Sequence, residues 1–518
     1  MTRYRFTSAL VGLSIVALCW LWPGQAAAQV HVDVGPVHVH VNDRPAPPEA
    51  VEVLTRGPIH EAFAEPIALD EDAALTISQA PPASIDEAVP DEKPAGNNIV
   101  WIPGYWSWDT DRNDFIWVSG CWRAVPPNCS WVPGYWASVR SGYQWVPGFW
   151  TTADTDELNY LPAPPATLEE GPIGTPASAD NVWIPGCWVR HEGRYVWRPG
   201  FWAEARTNWV WEPAHYVYTP HGCVFVEGYW DRPLDRRGVA FLPVYASPRL
   251  YGRSDFRYSP QYVLDLGLLT SNLFISPGRH HYYFGDYYGS EYARAGFHPW
   301  YEAREHHGWY DPIYVHEQWR HRDDHKWAEN QRVEYEHRRD DKAARPARTY
   351  EAMKAQAAHL PEKDRRDAYV ARPMRDVVSD KATPYKFDKL DTKTREATAN
   401  NARDVHAYRD QRAKWESQPV TPRETLKTPG KETPKAPAGQ DTQAQRVKIS
   451  RSPVTVREPL HDKDLTPPDK PKQPNLDPNA KPRSVKDTQD RSKDTQDRSK
   501  DSDHSDKDKS GSRGNNGR

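Results

Sequence analysis

A tryptophan-containing motif recurs through the chain between residues 101 and 230, and it constrains the fold more than any other feature. The motif is W-x-P-G-x-W, and we count eight copies of it. Within each group of copies the first aromatic residue recurs every 14 residues, as in Trp117, Trp131 and Trp145. A fixed period indicates one short structural unit copied in tandem, in which neighbouring copies bury each other's apolar faces. Chemistry usually requires different residues at different places, so the recurrence favours a scaffold or a binding surface.

The aromatic motif positions are the candidate site residues, because they form either a binding surface or a core. They are Trp101, Trp106, Trp117, Trp122, Trp131, Trp136, Trp145, Trp150, Trp183, Trp188, Trp197, Trp202, Trp211, Phe225 and Trp230. Sixteen of the 23 tryptophans lie between residues 101 and 230, so we expect the ordered core there.

The motif predicts short strands joined by corners. Pro-Gly at its centre fits a type II turn, in which proline sets φ and glycine tolerates a positive φ. Polar segments such as 140–142 and 191–193 predict the opposite turn of each unit. We therefore predict a mainly β fold, a tryptophan-rich antiparallel β-meander of eight repeats of 14 residues. Four copies form repeat lobe 1 (99–150) and four form repeat lobe 2 (181–232), and the Pro-rich linker 151–180 separates them.

The W-x-P-G-x-W copies resemble those of the YXWGXW (WXXGXW) repeat proteins of bacterial envelopes. The resemblance covers roughly residues 99–230, about a quarter of the chain. It implies an exported, tryptophan-rich repeat protein, and it brings no established activity, substrate or catalytic residue with it.

The N-terminus predicts export. Arg3 and Arg5 precede an apolar run over residues 9–21, and Ala26-Ala27-Ala28 supplies small residues for cleavage after Ala28. This arrangement is typical of a secretory signal peptide over residues 1–28. The run is short for a membrane anchor, and no later segment approaches 18 apolar residues, so we expect no transmembrane segment after cleavage. The expected location is secreted, periplasmic or in the cell envelope.

Four cysteines remain in the mature chain, and an exported protein is expected to oxidise them. The disulfide candidates are Cys121, Cys129, Cys187 and Cys223. Four cysteines allow three pairings. We favour Cys121–Cys129 and Cys187–Cys223 because each bond then joins the same two positions of the repeat, and four buried thiols are the alternative.

The flanking segments divide by composition. Residues 29–98 are an N-terminal segment and Pro-rich linker, in which His38 and His40 share a face of a short strand. Residues 233–312 are rich in tyrosine and are expected to pack on the repeats, with a hairpin over 263–276.

The second half of the chain predicts helix and then disorder. Residues 313–416 form a charged helical region, with helices over 316–345, 349–360 and 395–416 that pair weakly or extend from the body. Residues 417–518 hold no aromatic residue and two copies of KDTQDRS, so they predict a disordered C-terminal tail.

The sequence contains no recognisable catalytic motif. The chain lacks GxSxG, GxGxxG, P-loop and CxxC motifs, so we predict that it is not an enzyme and has no cofactor or metal. Asp109, Asp111 and Asp114 are read as a turn, and His321 and His325 as a solvated helix face. A net charge of −4 predicts no nucleic-acid partner.

Three functional classes remain from the sequence, of which an enzyme ranks last and would require an acidic pair facing a cleft. The first is a structural or interaction scaffold of the envelope, with other envelope proteins as partners. The second is a carbohydrate-binding module, in which aromatic rings stack on an envelope polysaccharide. Buried motif aromatics would favour the first class, and exposed ones the second.

Overall fold

The structure, a computed structural model, describes residues 51–71, 74–304, 309–361, 369–417 and 445–458. The predicted signal peptide, the strand with His38 and His40 and most of the tail lie outside these residues. Within them the chain is mainly β, and its strands form small antiparallel sheets of two to four strands, accompanied by several helices. The predicted β class is confirmed, but the strands do not form one continuous meander.

Strands begin before the repeats. The segment 51–98 contains β1 (Glu52–Val53), β2 (Gly57–Pro58), β3 (Ile67–Ala68), β4 (Thr76–Ile77) and β5 (Glu92–Pro94). Each of them pairs with a strand far away in sequence; β4, for example, lies against Tyr143 and Gln144. The proline content suggested a linker here, but these residues form strands instead: β4 pairs with a repeat strand, and the other four pair with strands that follow the repeats.

The repeats form four hairpin units of two copies each, which we call units 1 to 4. Unit 1 contains β6 (Ile99–Ile102), β7 (Tyr105–Asp109), β8 (Asp114–Val118) and β9 (Cys121–Ala124), and unit 2 contains β10 (Cys129–Val132), β11 (Tyr135–Val139), β12 (Gly142–Val146) and β13 (Phe149–Thr152). Unit 3 contains β15 (Asn181–Ile184), β16 (Cys187–His191), β17 (Arg194–Arg198) and β18 (Phe201–Glu204), and unit 4 contains β19 (Val210–Glu212), β20 (His215–Thr219), β21 (Gly222–Val226) and β22 (Tyr229–Asp231).

Copies within a unit pair with each other along their whole length. In unit 1 the inner strands β7 and β8 place Trp106 opposite Trp117, and the outer strands β6 and β9 place Trp101 opposite Trp122. The other three units repeat this register. Each unit is therefore one long hairpin that bends at two corners.

The prediction of a type II turn at Pro-Gly is wrong. Strands β6 and β7 flank the first corner without pairing with each other, so the chain bends there and does not reverse. None of the motif glycines has a positive φ, whereas Gly142 and Gly193 do, at the hairpin turns that the polar segments predicted. The motif glycine is needed for space: a Cβ on Gly148 would lie 2.5 Å from Cζ2 of Trp131 in the partner copy.

The region after the repeats mixes strands and short helices. It contains β23 (Gly238–Ala240), β24 (Val244–Tyr245), β25 (Tyr262–Leu264), β26 (Leu273–Ser276), β27 (His281–Phe284), β28 (His298–Pro299) and β29 (Trp309–Tyr310), with helices α1 (Pro248–Tyr251), α2 (Leu266–Leu269) and α3 (Ser290–Arg294). Strand β26 pairs with β27, so the hairpin predicted over 263–276 does not form. Residues 266–269 are helical instead, and the Asp265 side chain caps them by accepting from the Gly267 amide.

Five helices follow, and they are more broken and better packed than predicted. They are α4 (Pro312–Arg320), α5 (Trp327–Asp340), α6 (Tyr350–Ala358), α7 (Met374–Ser379) and α8 (Thr392–Glu416). The single helix predicted over 316–345 is interrupted at residues 321–326. Helix α8 buries Ala402, Val405 and Tyr408, so it does not extend from the body.

Four more strands outside the repeats join the sheets of this body. Strand β30 (Ala371–Pro373) pairs with β25, and β31 (Phe387–Lys389) with β5. Strand β14 (Glu157–Leu161), in the predicted linker 151–180, pairs with both β21 and β32 (Gln445–Lys448). The prediction of a wholly disordered tail is thus wrong for residues 445–458, where Val454 and Val456 are buried.

The largest core cluster joins repeats and flanks. It packs Trp131 and Trp150 of unit 2 against Phe63, Tyr282 and Trp300. Among the helices that the structure describes, none is long and apolar enough to cross a bilayer.

Candidate functional site

The motif tryptophans form cross-strand pairs inside each unit. The ring centroids of Trp101 and Trp122 lie 5.3 Å apart at an interplanar angle of 67°, and those of Trp106 and Trp117 lie 5.2 Å apart at 79°. Edge-to-face pairs also join Trp136 to Trp145, Trp183 to Trp202, Trp188 to Trp197 and Trp211 to Trp230. Such a pair contributes about 0.5–1.5 kcal/mol beyond its burial. The motif aromatics therefore stabilise their own hairpins.

Burial of these aromatics differs sharply between the units. In units 1 and 2 every motif tryptophan except Trp136 is buried. In units 3 and 4 only Trp183 is buried, and the other positions (Trp188, Trp197, Trp202, Trp211, Phe225 and Trp230) are half-buried. Unit 3 also exposes Phe201 by 52% and Val196 by 47%. The first two units are thus core, and the third is the unit that presents apolar surface.

Buried glutamates bind the motif corners. Glu87, which precedes unit 1, accepts hydrogen bonds from the amides of Gly104 and Gly120 at 3.1 and 3.0 Å and from Nε1 of Trp117 at 3.2 Å. We call this arrangement a carboxylate clasp: one glutamate that accepts from motif glycine amides and a motif indole. The clasp satisfies donors that the bent corners leave outside the strand ladder.

Unit 2 repeats the carboxylate clasp with a residue from further away. Glu61 accepts from the amides of Gly134 at 2.8 Å and Gly148 at 2.9 Å, and from Nε1 of Trp145 at 3.2 Å. Burial raises the pKa of both Glu61 and Glu87 to about 7, although the hydrogen bonds that they accept favour the charged form and lower it.

Unit 3 carries the carboxylate clasp in a more open setting. Glu169 accepts from the amide of Gly186 at 2.5 Å and from Nε1 of Trp183 at 2.8 Å. Sequence reasoning missed all three glutamates. A signal was present for two of them, because Ile-x-Glu-Ala occurs at residues 59–62 and again at 85–88.

An arginine binds the other side of the unit 2 corners. Nη1 of Arg412 in α8 donates to the carbonyls of Pro133 and Pro147 at 3.0 and 2.8 Å. Its Nε forms an ion pair with Glu416 at 2.9 Å, and both side chains are fully buried. The Pro-Gly peptide bonds of unit 2 are therefore held through their carbonyls by Arg412 and through their amides by Glu61.

The backbone of Glu61 is itself fixed by a buried hydrogen-bond chain. Its amide donates to the Tyr105 hydroxyl at 2.9 Å, and that hydroxyl lies 2.7 Å from Nε2 of His281. Nδ1 of His281 lies 2.6 Å from the carbonyl of Arg279. The pattern fits a neutral imidazole protonated on Nδ1, and burial lowers the pKa of His281 to about 3.

Unit 4 is anchored by buried ion pairs. Arg123 of unit 1 contacts Asp231 at 2.5 Å, and Arg237 contacts Glu212 at 2.6 Å and Asp231 at 3.1 Å. All these side chains are almost fully buried. The network joins the first unit to the last. Ion pairs therefore hold unit 4, the unit whose motif departs from the consensus.

The four cysteines are free and buried, so neither predicted disulfide is present. The pairing between copies explains this outcome, because each cysteine faces the partner strand of its own hairpin. Cys121 lies opposite Ile102, and Cys187 opposite Arg198, whose Nη2 lies 3.0 Å from the sulfur. Burial raises the pKa of Cys129 and Cys223 to about 12.

The polar candidates also have structural partners. Asp109 forms a buried ion pair with Arg56 at 2.8 Å, and Asp111 contacts Arg348. His321 lies 2.9 Å from the Glu317 carbonyl through Nδ1 and stacks on Trp327 at 5.0 Å. In the described ranges, no three His, Cys, Asp or Glu side chains are grouped so as to hold a metal ion.

A cavity with a volume of about 490 Å³ lies between unit 3 and α4. Its aromatic lining comes from both sides: Trp183 and Trp202 from the repeats, Trp309 and Tyr310 from β29, and Tyr314 and Trp319 from α4. Glu169, Asn181, Asp311, Gln318 and Arg322 supply polar atoms. A concave, mainly aromatic site with a few polar groups is typical of small-ligand recognition.

Comparison with known proteins identifies the repeat. A family model described as the WXXGXW repeat (2 copies) matches residues 100–123, 130–151, 182–203 and 206–230. These segments coincide with units 1 to 4, so the resemblance read from the motif is confirmed, and the structural unit contains two copies. No curated protein and no solved structure matches the chain.

Proposed function

We propose that this WXXGXW repeat protein is exported and acts as a non-enzymatic structural or interaction scaffold in the bacterial cell envelope. The observation that carries the proposal is the burial of the motif in units 1 and 2. There the motif tryptophans except Trp136 are buried, the motif glycine amides bind Glu61 and Glu87, and the corner carbonyls of unit 2 bind Arg412. A repeat whose side chains and corners are bound within its own fold supports the role of a rigid body better than that of a row of binding sites.

The buried acids support a non-enzymatic role. A raised carboxyl pKa often marks a catalytic acid. Glu61 and Glu87, however, direct their oxygens at glycine amides and indoles, so these groups stabilise the corners. Export is supported by the sequence of residues 1–28 alone.

Cell fractionation with mass spectrometry tests this function. We would express the full chain with its own N-terminus, because Glu61 and Arg412 lie outside the repeats and a repeat fragment would lack both. We expect the chain in the periplasmic or envelope fraction, starting at Gln29. An uncleaved chain that begins at Met1 in the cytoplasmic fraction would refute export and, with it, an envelope scaffold.

Acrylamide quenching of tryptophan fluorescence tests the scaffold part separately. The buried tryptophans of units 1 and 2 should make most of the emission blue-shifted and poorly quenched. Red-shifted emission that acrylamide quenches readily would mean that these side chains are exposed in solution. The burial argument would then fail.

A carbohydrate-binding module is the second candidate, and unit 3 favours it. Its aromatics are half-buried, and two of them line the cavity against α4. The two functions are compatible, because units 1 and 2 supply the body while unit 3 supplies a surface.

A further inference from the structure

We propose that the cavity between unit 3 and α4 binds pyranose rings of a neutral or amino-bearing polysaccharide. The inference rests on the second candidate function and assigns its site. We call this space the aromatic cavity, and its principal lining residues are Trp183, Trp202, Tyr310, Tyr314, Trp319 and Gln318.

Shape and size fit a short stretch of glycan. The volume of about 490 Å³ falls within the range of about 300–1,000 Å³ typical of small-ligand pockets, which leaves room for about two sugar rings. The lining residues Glu170 and Ala179 are exposed, so the cavity is reached from solvent.

Aromatic rings on opposite walls suit the faces of a pyranose. A sugar ring has an apolar C–H face that packs on the negative face of an indole or phenol ring. Trp183 and Trp202 contribute from the repeat side, with centroids 5.5 Å apart, and Tyr314 and Trp319 from the helix.

Polar side chains in the lining suit a hydroxyl-rich ligand. Asn181 and Gln318 line the cavity, and their amide groups can both donate to and accept from sugar hydroxyls. Nε1 of Trp319 is buried without a hydrogen-bond partner in the described residues, as are the indoles of Trp101, Trp122 and Trp211, so it does not discriminate between ligands.

Charge around the cavity selects among polysaccharides. Three acids, Glu169, Glu170 and Asp311, line the space with one base, Arg322. That guanidinium pairs with Asp180 at 3.1 Å and lies 4.8 Å over the Trp319 ring, so its charge is already engaged. An excess of acid repels uronic acids and phosphate-bearing glycans, and it accommodates hydroxyl, acetamido or amino groups.

The test is titration of the folded full chain with defined hexasaccharides, by isothermal calorimetry and tryptophan fluorescence. The probes are the N-acetylglucosamine hexamer, the glucosamine hexamer, cellohexaose and hexagalacturonate. We expect saturable binding of at least one of the first three, with a Kd below about 1 mM, and none of hexagalacturonate.

Matched variants locate the site. Trp202→Ala and Trp188→Ala remove the second tryptophan of neighbouring copies in unit 3, and both indoles donate to a carbonyl of the preceding segment. Only Trp202 lines the aromatic cavity. We expect Trp202→Ala to weaken binding at least tenfold and Trp188→Ala to leave it unchanged.

Gln318→Ala keeps the test decisive if Trp202→Ala fails to fold. Gln318 is half-buried on α4, where alanine is well tolerated, and its loss removes polar contact with the sugar. We expect a weakening of severalfold with an unchanged urea midpoint.

Three results would overturn the site: no saturable binding of any neutral or amino hexasaccharide, tighter binding of the uronate, or equal losses in Trp188→Ala and Trp202→Ala. Each of these leaves the fractionation result standing, so failure of the site is distinguishable from failure of the envelope scaffold.

Discussion

Arg412→Met should destabilise the folded chain severely, because it removes the base that unit 2 depends on. The change leaves the Glu416 carboxylate buried without its cation, and breaking such a pair costs about 3–5 kcal/mol. It also removes a donor from the Pro133 and Pro147 carbonyls, at about 0.5–1.5 kcal/mol each. The sum is about 4–8 kcal/mol, comparable with the whole stability of about 5–15 kcal/mol of a typical domain.

Urea denaturation followed by tryptophan fluorescence and far-UV circular dichroism measures this cost. We expect a large drop in the midpoint of Arg412→Met. Arg403→Met is the matched control, because Arg403 lies on the same helix but is exposed and contacts only Asn400 among the hydrogen bonds found. Its free energy of unfolding should change by about 0.5 kcal/mol or less.

A second variant separates the buried charge from the carbonyl contacts. Adding Glu416→Gln to Arg412→Met removes the uncompensated charge. Tyr135 and Tyr160 donate to separate oxygens of Glu416 at 2.7 and 2.9 Å, so the glutamine oxygen retains an acceptor for one hydroxyl and the glutamine NH2 can donate to the other. The double variant should recover at least half of the lost stability. A cost of Arg412→Met below about 1 kcal/mol, or one equal to that of Arg403→Met, would refute the view that α8 holds the corners of unit 2.

Three further results are expected. Gly148→Ala should cost about 2–3 kcal/mol in urea titration, because its Cβ would meet Trp131 at 2.5 Å, whereas Gly193→Ala, with open space and a φ of 82°, should cost about 1 kcal/mol. A cost of Gly148→Ala no larger than that of Gly193→Ala would show that the close approach of Trp131 does not select the motif glycine. Burial lowers the pKa of His281 to about 3, below its ordinary 6.5, so this group alone reduces the stability as the pH drops below 6.5, by about 1.4 kcal/mol per pH unit, whereas the raised pKa values of Glu61 and Glu87 act in the opposite direction. The difference in free energy of unfolding between the wild type and His281→Gln isolates the histidine, and a difference that is the same at pH 7, 6 and 5 would contradict the assignment. Cys129 should resist thiol reagents until the chain unfolds, because its thiol is buried with a pKa of about 12, and disulfide-linked peptides under non-reducing mapping would contradict the free state.

The sequence predicted the hairpins, but it did not show why the motif requires glycine. Alternating aromatics and the polar turns at 140–142 and 191–193 predicted short antiparallel strands, and the structure contains them. Gly148 was assigned to a turn because Pro-Gly usually occupies one. Its actual constraint, the indole of Trp131 against its α-carbon, depends on how two copies pair, and a single copy does not show this.

The role of the clasp glutamates could not be predicted because they lie in Pro-rich segments that look solvated. The repeated Ile-x-Glu-Ala marks Glu61 and Glu87 but not what they bind, and for Glu61 that depends on two glycine amides located 73 and 87 residues away. The prediction that helix α8 extends from the body was wrong for the same reason. Its charges suggested an exposed rod, yet Arg412 is buried by partners that only the tertiary structure brings close.

The sequence distance between a clasp glutamate and its unit separates the buried unit 2 from the more exposed unit 3. Unit 2 is held by Glu61, 84 residues from Trp145, and by Arg412, 265 residues from Pro147, so it must lie inside the body that brings them together. Unit 3 is held by Glu169, only 14 residues from Trp183. Local contacts lose less chain entropy on closure than distant ones, so unit 3 needs less packing around it to stay folded. Local holding permits exposure but does not impose it, because unit 1 is buried although Glu87 lies only 17 residues from Gly104.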